Sequence, residues 1–248
     1  MNKTVTRTAG LVLLCVCAAA QAFTAQELIA KNIEAKGGAA ALQAVTGLRR
    51  QGKLIVNGGQ YVLDVVETKQ RPESIRLDVS LQGLTQVQAY DGKEGWKIDP
   101  FGGRKDPERM PADDVKEMID DASIAGPLAD ASARGSKVEY LGTEDIDGTA
   151  AHKLKVTRKD GSVQYVYLDP DFFLEIRVES QRQVRGVKRT TITDFGNYEK
   201  IAGVFLPLAV EASVKGEGDP AKFEYEKAEV NPTVAPAYFA FPAAAVKK

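Results

Sequence analysis

Apolar side chains at every second position, in one short stretch after another, restrict what this chain can fold into more than any other feature. Leu54 and Val56 alternate with Lys53 and Asn57 up to Gly58-Gly59. Tyr61, Leu63 and Val65 alternate with Val62, Asp64 and Val66, and Ile75, Leu77 and Val79 with Arg76, Asp78 and Ser80. Residues 87–90 lead to Asp91-Gly92, then Trp96 and Ile98. Successive side chains of a strand point to opposite faces, so this period marks strands with one buried and one wet face. Further stretches of the same kind lie at 138–140, 154–156, 163–168, 174–178, 187–192, 206–210 and 223–230. Asp147-Gly148, Asp160-Gly161, Gly186 and Gly203 stand between them. Turn residues at such regular intervals predict an antiparallel meander of about eleven strands, not βαβ units.

Helical signals are few. Thr24-Ala25-Gln26-Glu27 reads as a capping box, followed by Leu28, Ile29 and Ile33 at helical spacing and a stop at Gly37-Gly38. Residues 39–45 predict a short second helix, with Leu42 and Val45 on one face. Residues 100–111 read as a polar loop. Residues 112–123 predict a third helix, with Val115, Met118 and Ile119 at i, i+3, i+4, and 128–133 a further short helical turn. The expected fold is mainly β with helices (α+β): a single strongly curved antiparallel sheet forming a half-open barrel, helices covering its concave face. Only about forty helical residues are available to cover that face by this periodicity. An incompletely filled interior is a natural ligand cavity. A packed, filled core satisfies the same pattern equally well.

The first 22 residues have the order of a secretory signal. Lys3 and Arg7 precede an apolar run at 9–20, and Ala20-Gln21-Ala22 is a small-x-small cleavage site. The run is too short for a spanning helix, which needs roughly 20 residues. Leu14 and Val16 precede the two cysteines, Cys15 and Cys17; both are too bulky for a lipidation site. Cleavage after Ala22 is expected to leave a periplasmic, soluble, non-spanning protein. Both cysteines leave with the leader, so the mature chain has no disulfide and no thiol nucleophile. The leader carries two basic residues and no acidic ones, so the formal net charge moves from −1 to −3. No basic excess suggests nucleic acid as a partner. Residues 23–242 are expected to form one domain and 243–248 a flexible tail.

No motif supplies catalytic machinery, and an enzyme is not expected. His152 is the only histidine; it lies on a strand beside Lys153 and Lys155, and the reading is an exposed or edge-strand side chain. One histidine and no mature cysteine do not make a zinc site. Asp113, Asp114, Glu117, Asp120 and Asp121 crowd one helix and read as a solvated helix face, because calcium sites place their oxygens by tight loops. Asp169-Pro170-Asp171 and Gly216-Glu217-Gly218 read as turns. An outer-membrane barrel fits badly, since Lys153, Lys155, Arg158, Arg182 and Arg185 interrupt any lipid-facing band.

Several short motifs, taken in order, resemble the LolA-like family of periplasmic carriers that sort outer-membrane lipoproteins. They are Gln70-Arg71-Pro72 entering Ile75-Arg76, Tyr90-Asp91-Gly92-Lys93, Trp96, Pro100-Phe101, and Tyr238-Phe239-Ala240-Phe241-Pro242. The chain is longer than the plain carriers, chiefly at 102–136 and in the later hairpins. The resemblance implies an apolar cavity for lipid or lipoprotein acyl chains, a movable helical lid, no cofactor, and partners at an inner-membrane donor and an outer-membrane acceptor. Candidate cavity residues are Leu54, Val56, Leu63, Ile75, Leu77, Trp96, Ile98, Phe101, Met118, Tyr165 and Ile176. Arg71 takes the place of the family's lid latch; an arginine merely exposed at a strand entrance is the alternative. A sensor that detects lipidated ligands and signals to a protein partner is the competing function.

Overall fold

The computed structural model describes residues 23–242 apart from residue 185. The expected leader, its cleavage site and the tail at 243–248 lie outside the described residues. Two helices come first. Helix α1 (Ala25–Ala35) starts with the capping box expected of Thr24 and Glu27, and α2 (Ala39–Ala44) follows Gly37-Gly38. Six strands come next: β1 (Gly47–Val56), β2 (Tyr61–Gln70), β3 (Ser74–Leu81), β4 (Leu84–Tyr90), β5 (Gly95–Asp99) and β6 (Arg104–Arg109). Helix α3 (Ala112–Asp121) precedes the remaining seven. These are β7 (Lys137–Ile146), β8 (Thr149–Thr157), β9 (Val163–Leu168), β10 (Glu175–Val184), β11 (Val187–Ile201), β12 (Val204–Val214) and β13 (Glu217–Val230).

All thirteen strands join one sheet in the order β6-β5-β4-β3-β2-β1-β13-β12-β11-β10-β9-β8-β7. Every pairing is antiparallel. The chain thus builds one arm outward from β1 and returns along the other to β13, and only β1–β13 pairing joins the arms. The outer edges β6 and β7 do not pair, so the barrel stays half open. Charge explains the β6 edge: Arg-Lys-Asp-Pro-Glu-Arg offers no apolar face, and Pro107 cannot donate to another strand. The same absence of alternation hid β6, which the sequence reading made part of a polar loop. Irregular pairings bend the sheet, among them one between Gln51 and Gly52 on β1. A side chain at residue 52 would put Cβ 2.0 Å from the Glu224 carbonyl oxygen, so only glycine fits where the arms meet.

The helices cover the concave face near one end. Leu28 of α1 packs on Leu154, Val166, Leu168 and Val178; Leu42 and Val45, in and after α2, pack on Leu48, Val204 and Leu206. Met118 of α3 packs on Ile75 and Tyr90. From α3 the chain crosses between the two edges through residues 122–136, sending Ala125 into the second of these clusters and Leu128 into the first. The expected helical turn at 128–133 is a run of turns. Toward the opposite end the concave face is lined by strands alone, with Leu54, Leu63, Val65, Val79 and Leu208 in one cluster.

Candidate functional site: the concave cavity

A cavity of about 290 Å³ lies between the concave face of the sheet, α3 and the crossing segment. That is near the lower end of small-molecule sites. Leu48, Ile75, Leu77, Met118, Leu206 and Phe223 are among its apolar walls. Regular strand alternation places them. Leu77 of β3 faces Glu67 of β2, which faces Arg50 of β1, so one inward row crosses three strands.

That row carries charge. Arg50 donates to Glu67 Oε2 from Nε (2.9 Å) and Nη2 (2.6 Å) and to the Pro207 carbonyl from Nη1 (2.9 Å). Its guanidinium also lies 4.0 Å over the Tyr225 ring. Lys69 Nζ is 3.5 Å from Glu67 Oε1. Burial alone would raise the Glu67 carboxyl, but the charges of Arg50 and Lys69 outweigh it and hold it below its ordinary value. Burial, with Glu67 nearby, pushes the Tyr225 hydroxyl up.

A second buried pair ties the lid to the sheet. Lys36, just past α1, donates to Glu175 Oε1 (2.7 Å) and to the Ala125 carbonyl of the crossing segment (2.8 Å). The two side chains are 8% and 4% exposed. Glu175 Oε2 has no partner. Gly126, at φ +86°, runs over this pair; a Cβ there would sit 2.9 Å from Lys36 Nζ and 3.0 Å from Glu175 Oε1.

Arg71 joins three elements. Its Nε donates to the Val45 carbonyl (2.9 Å) and Nη2 to the Leu42 carbonyl (3.3 Å), both at the end of α2. Its Nη1 stands 3.9 Å from Asp130 Oδ1 in the crossing segment.

The acidic helix departs from the sequence reading. Its carboxylates are not all on a solvated face: Glu117, Asp120 and Asp121 line the cavity. Asp120 is held by Arg158 and Arg182. Asp121, like Glu117, lines the cavity but is exposed through its open side. Burial, with Glu117 and Glu67 adding to it, pushes its carboxyl up to about 6 against the pull of Lys69. The solvated-face reading agrees with the exposure of Glu117 and Asp121 and fails at Asp120, whose arginine partners lie far along the chain.

No protein-family model matches this sequence, and no curated protein matches it. Solved structures do. A DUF1329 family protein from Desulfovibrio piger superposes with a TM-score of 0.61 at 14% identity, covering 87% of this chain and 97% of that one. A LolA superfamily protein from Nitrosomonas europaea gives 0.57 at 14%, covering 88% and 98%. This chain has the LolA-like fold. A putative outer membrane lipoprotein-sorting protein domain from Vibrio parahaemolyticus, at 0.59 and 11%, covers 87% and 97%.

On this LolA-like frame the eleven expected cavity residues separate. Ile75, Leu77 and Met118 line the cavity. Leu54, Val56 and Leu63 share its face but cluster nearer the strand-lined end. Trp96 and Ile98 lie on the other face: Trp96 pairs with Ala89 and Ile98 with Val87, in register with Arg76 and Asp78 rather than Ile75 and Leu77. The C-terminal segment covers Trp96, whose Nε1 donates to the Phe239 carbonyl at 2.8 Å while its ring packs on Phe241. Phe101 is 42% exposed in the β5–β6 turn. Tyr165 is on the outer face under Lys153, 4.8 Å away, and Ile176 sits at an irregularity of β10 away from the cavity walls.

His152 also departs from expectation. It is buried, stacked on Phe173, edge-on to Phe23, with Nδ1 3.0 Å from the Tyr140 hydroxyl. Burial pulls its pKa down. The polar row was missed altogether, although Glu67 and Lys69 are in phase with Leu63 and Val65; the alternation alone assigns them to the inner face.

Proposed function

We propose that this protein is a periplasmic carrier that binds lipid, or the acyl chains of lipoproteins, in the concave cavity and delivers them towards the outer membrane. The observation that carries this reading is the cavity: apolar walls beneath a crossing segment that spans the open side of the barrel. Each methylene moved from water into it contributes about 0.8 kcal/mol, so half an acyl chain supplies useful affinity without any reactive group. The LolA-like fold supports the same reading. Arg71 serves as the latch: its hydrogen bonds to the Val45 and Leu42 carbonyls fix the guanidinium, and its approach to Asp130 has to break for the crossing segment to swing away. Extraction of protein purified from its native periplasm, followed by lipid mass spectrometry, is the test. Stoichiometric lipid or acylated peptide is expected; protein that is lipid-free and takes up no fluorescent acyl probe sinks the reading. Arg71→Ala is expected to speed probe release several-fold in stopped-flow chase, with smaller change in uptake.

A further inference from the structure

The cavity walls carry five carboxylates, of Glu67, Glu117, Asp120, Asp121 and Glu175, against four cations, of Lys36, Arg50, Lys69 and Arg182. Each cation already faces a carboxylate: Arg50 and Lys69 face Glu67, Lys36 faces Glu175, and Arg182 faces Asp120. Glu117 and Asp121 are left over. Among the described residues neither has a hydrogen bond or an ion pair, and a helical turn sets them side by side, flanking Met118 at the apolar wall. Two like charges one turn apart repel each other.

A second observation points the same way. Glu175 is buried to within a few per cent, stands at the wall of the same cavity, and keeps Oε2 without a donor. A buried acceptor without a partner is costly, and natural proteins rarely keep one unless something arrives to satisfy it. Against these three carboxylates stands one buried donor without an acceptor, Arg182 Nη1, so the larger unmet demand at the cavity is for hydrogen-bond donors with positive charge.

We propose that the ligand is an amphiphile whose polar end is an amine: the chain lies along Ile75, Leu77 and Met118, and the ammonium is held by Asp121 and Glu117. Glu175 offers an acceptor to a further N–H or O–H of the same polar end. The incoming charge relieves the repulsion between the two α3 carboxylates, and it displaces no existing ion pair. An anionic head meets the opposite situation: each wall cation already faces a carboxylate, and only Arg182 Nη1 is a buried donor without an acceptor. This deepens the carrier reading and rests on it.

A displacement series decides the matter. The protein is loaded with a fluorescent acyl probe and titrated near pH 8 with hexadecyl chains that differ only in the head: amine, alcohol, carboxylate and phosphate. The amine is expected to displace the probe at a concentration at least about tenfold lower than the carboxylate or phosphate, as a charge-assisted hydrogen bond in an enclosed site allows. In the double variant Glu117→Gln, Asp121→Asn the advantage is expected to fall to within about threefold, while Asp121→Glu keeps it. Equal displacement by all heads, or tighter binding of the carboxylate or phosphate, overturns the proposal and leaves the carrier reading standing. An unchanged amine preference in the double variant also overturns it. Failure of every chain to bind removes the carrier reading itself. The head series on the unaltered protein is decisive even where the variant does not fold.

Discussion

Two sets of charges line one cavity and stand in contrasting states. The wall set is paired: Lys36 with Glu175, and Arg50 and Lys69 with Glu67, each pair also bound to backbone or aromatic groups. The helix set is not: among the described residues Glu117 and Asp121 have no hydrogen bond or ion pair, and Asp121 is pushed up to about 6. Pairing tells a charge that holds the container from a charge kept for its contents. A wall ion that loses its partner is left buried in protein, whereas Asp121 of α3, once neutralised, sheds more, in burial cost and repulsion from its acidic neighbours, than it loses in the pull of Lys69.

Five variants sharpen this difference, and urea denaturation measures each. Lys36→Met is expected to cost most, about 3–5 kcal/mol, because it strands the Glu175 charge. The double variant Lys36→Met, Glu175→Leu is expected to recover most of that loss; if it does not, the pair holds the fold through its bond to the Ala125 carbonyl instead. Gly126→Ala is expected to cost about 1–3 kcal/mol, since φ is positive there and the new Cβ presses on both ions. Asp121→Asn is expected to have the opposite sign. A carboxyl raised from its ordinary 3.8 to about 6 contributes stability that is full below pH 3.8 and lost as pH rises through 6. At pH 7.5 the asparagine variant is therefore expected to be the more stable, by about 1 kcal/mol once water in the cavity is allowed for, and the gap is expected to close near pH 4. His152 works against this trend, because a histidine held neutral by burial loses stability as pH falls below its ordinary value of 6.5. The curve of unaltered protein alone thus does not isolate Asp121, and the difference between the two curves is the quantity to read. The smallest effect is expected at Lys53→Ala, within about 0.5 kcal/mol, because that lysine meets Asp64 at 2.6 Å on the exposed surface.

Much of the frame was legible in the residues alone. Period-2 alternation and Gly-containing turns led to an antiparallel meander, and Thr24 with Glu27 to the start of α1. What failed did so for identifiable reasons. Strand β6 carries no alternation, because an edge strand of charged residues buries neither face. Trp96 was taken for a cavity residue because a large aromatic on a strand must be buried somewhere; alternation says that a face is buried but not which face is concave. That was decided by the C-terminal segment, which brings the Phe239 carbonyl and the Phe241 ring over the outer face of β5.

The sequence by itself thus determined the local conformations and that the strands bury one face, since propensity, turn chemistry and alternation are properties of neighbours along the chain. Only the tertiary structure decided that the barrel stays open between β6 and β7, and that the wall ions pair across as many as 139 positions, as Lys36 and Glu175 do. It also decided that the acidic helix turns carboxylates inward. Whether a carboxylate meets bulk water, a lysine or an empty cavity depends on elements far away in sequence, and desolvation and Coulomb energy are set by that distance in space.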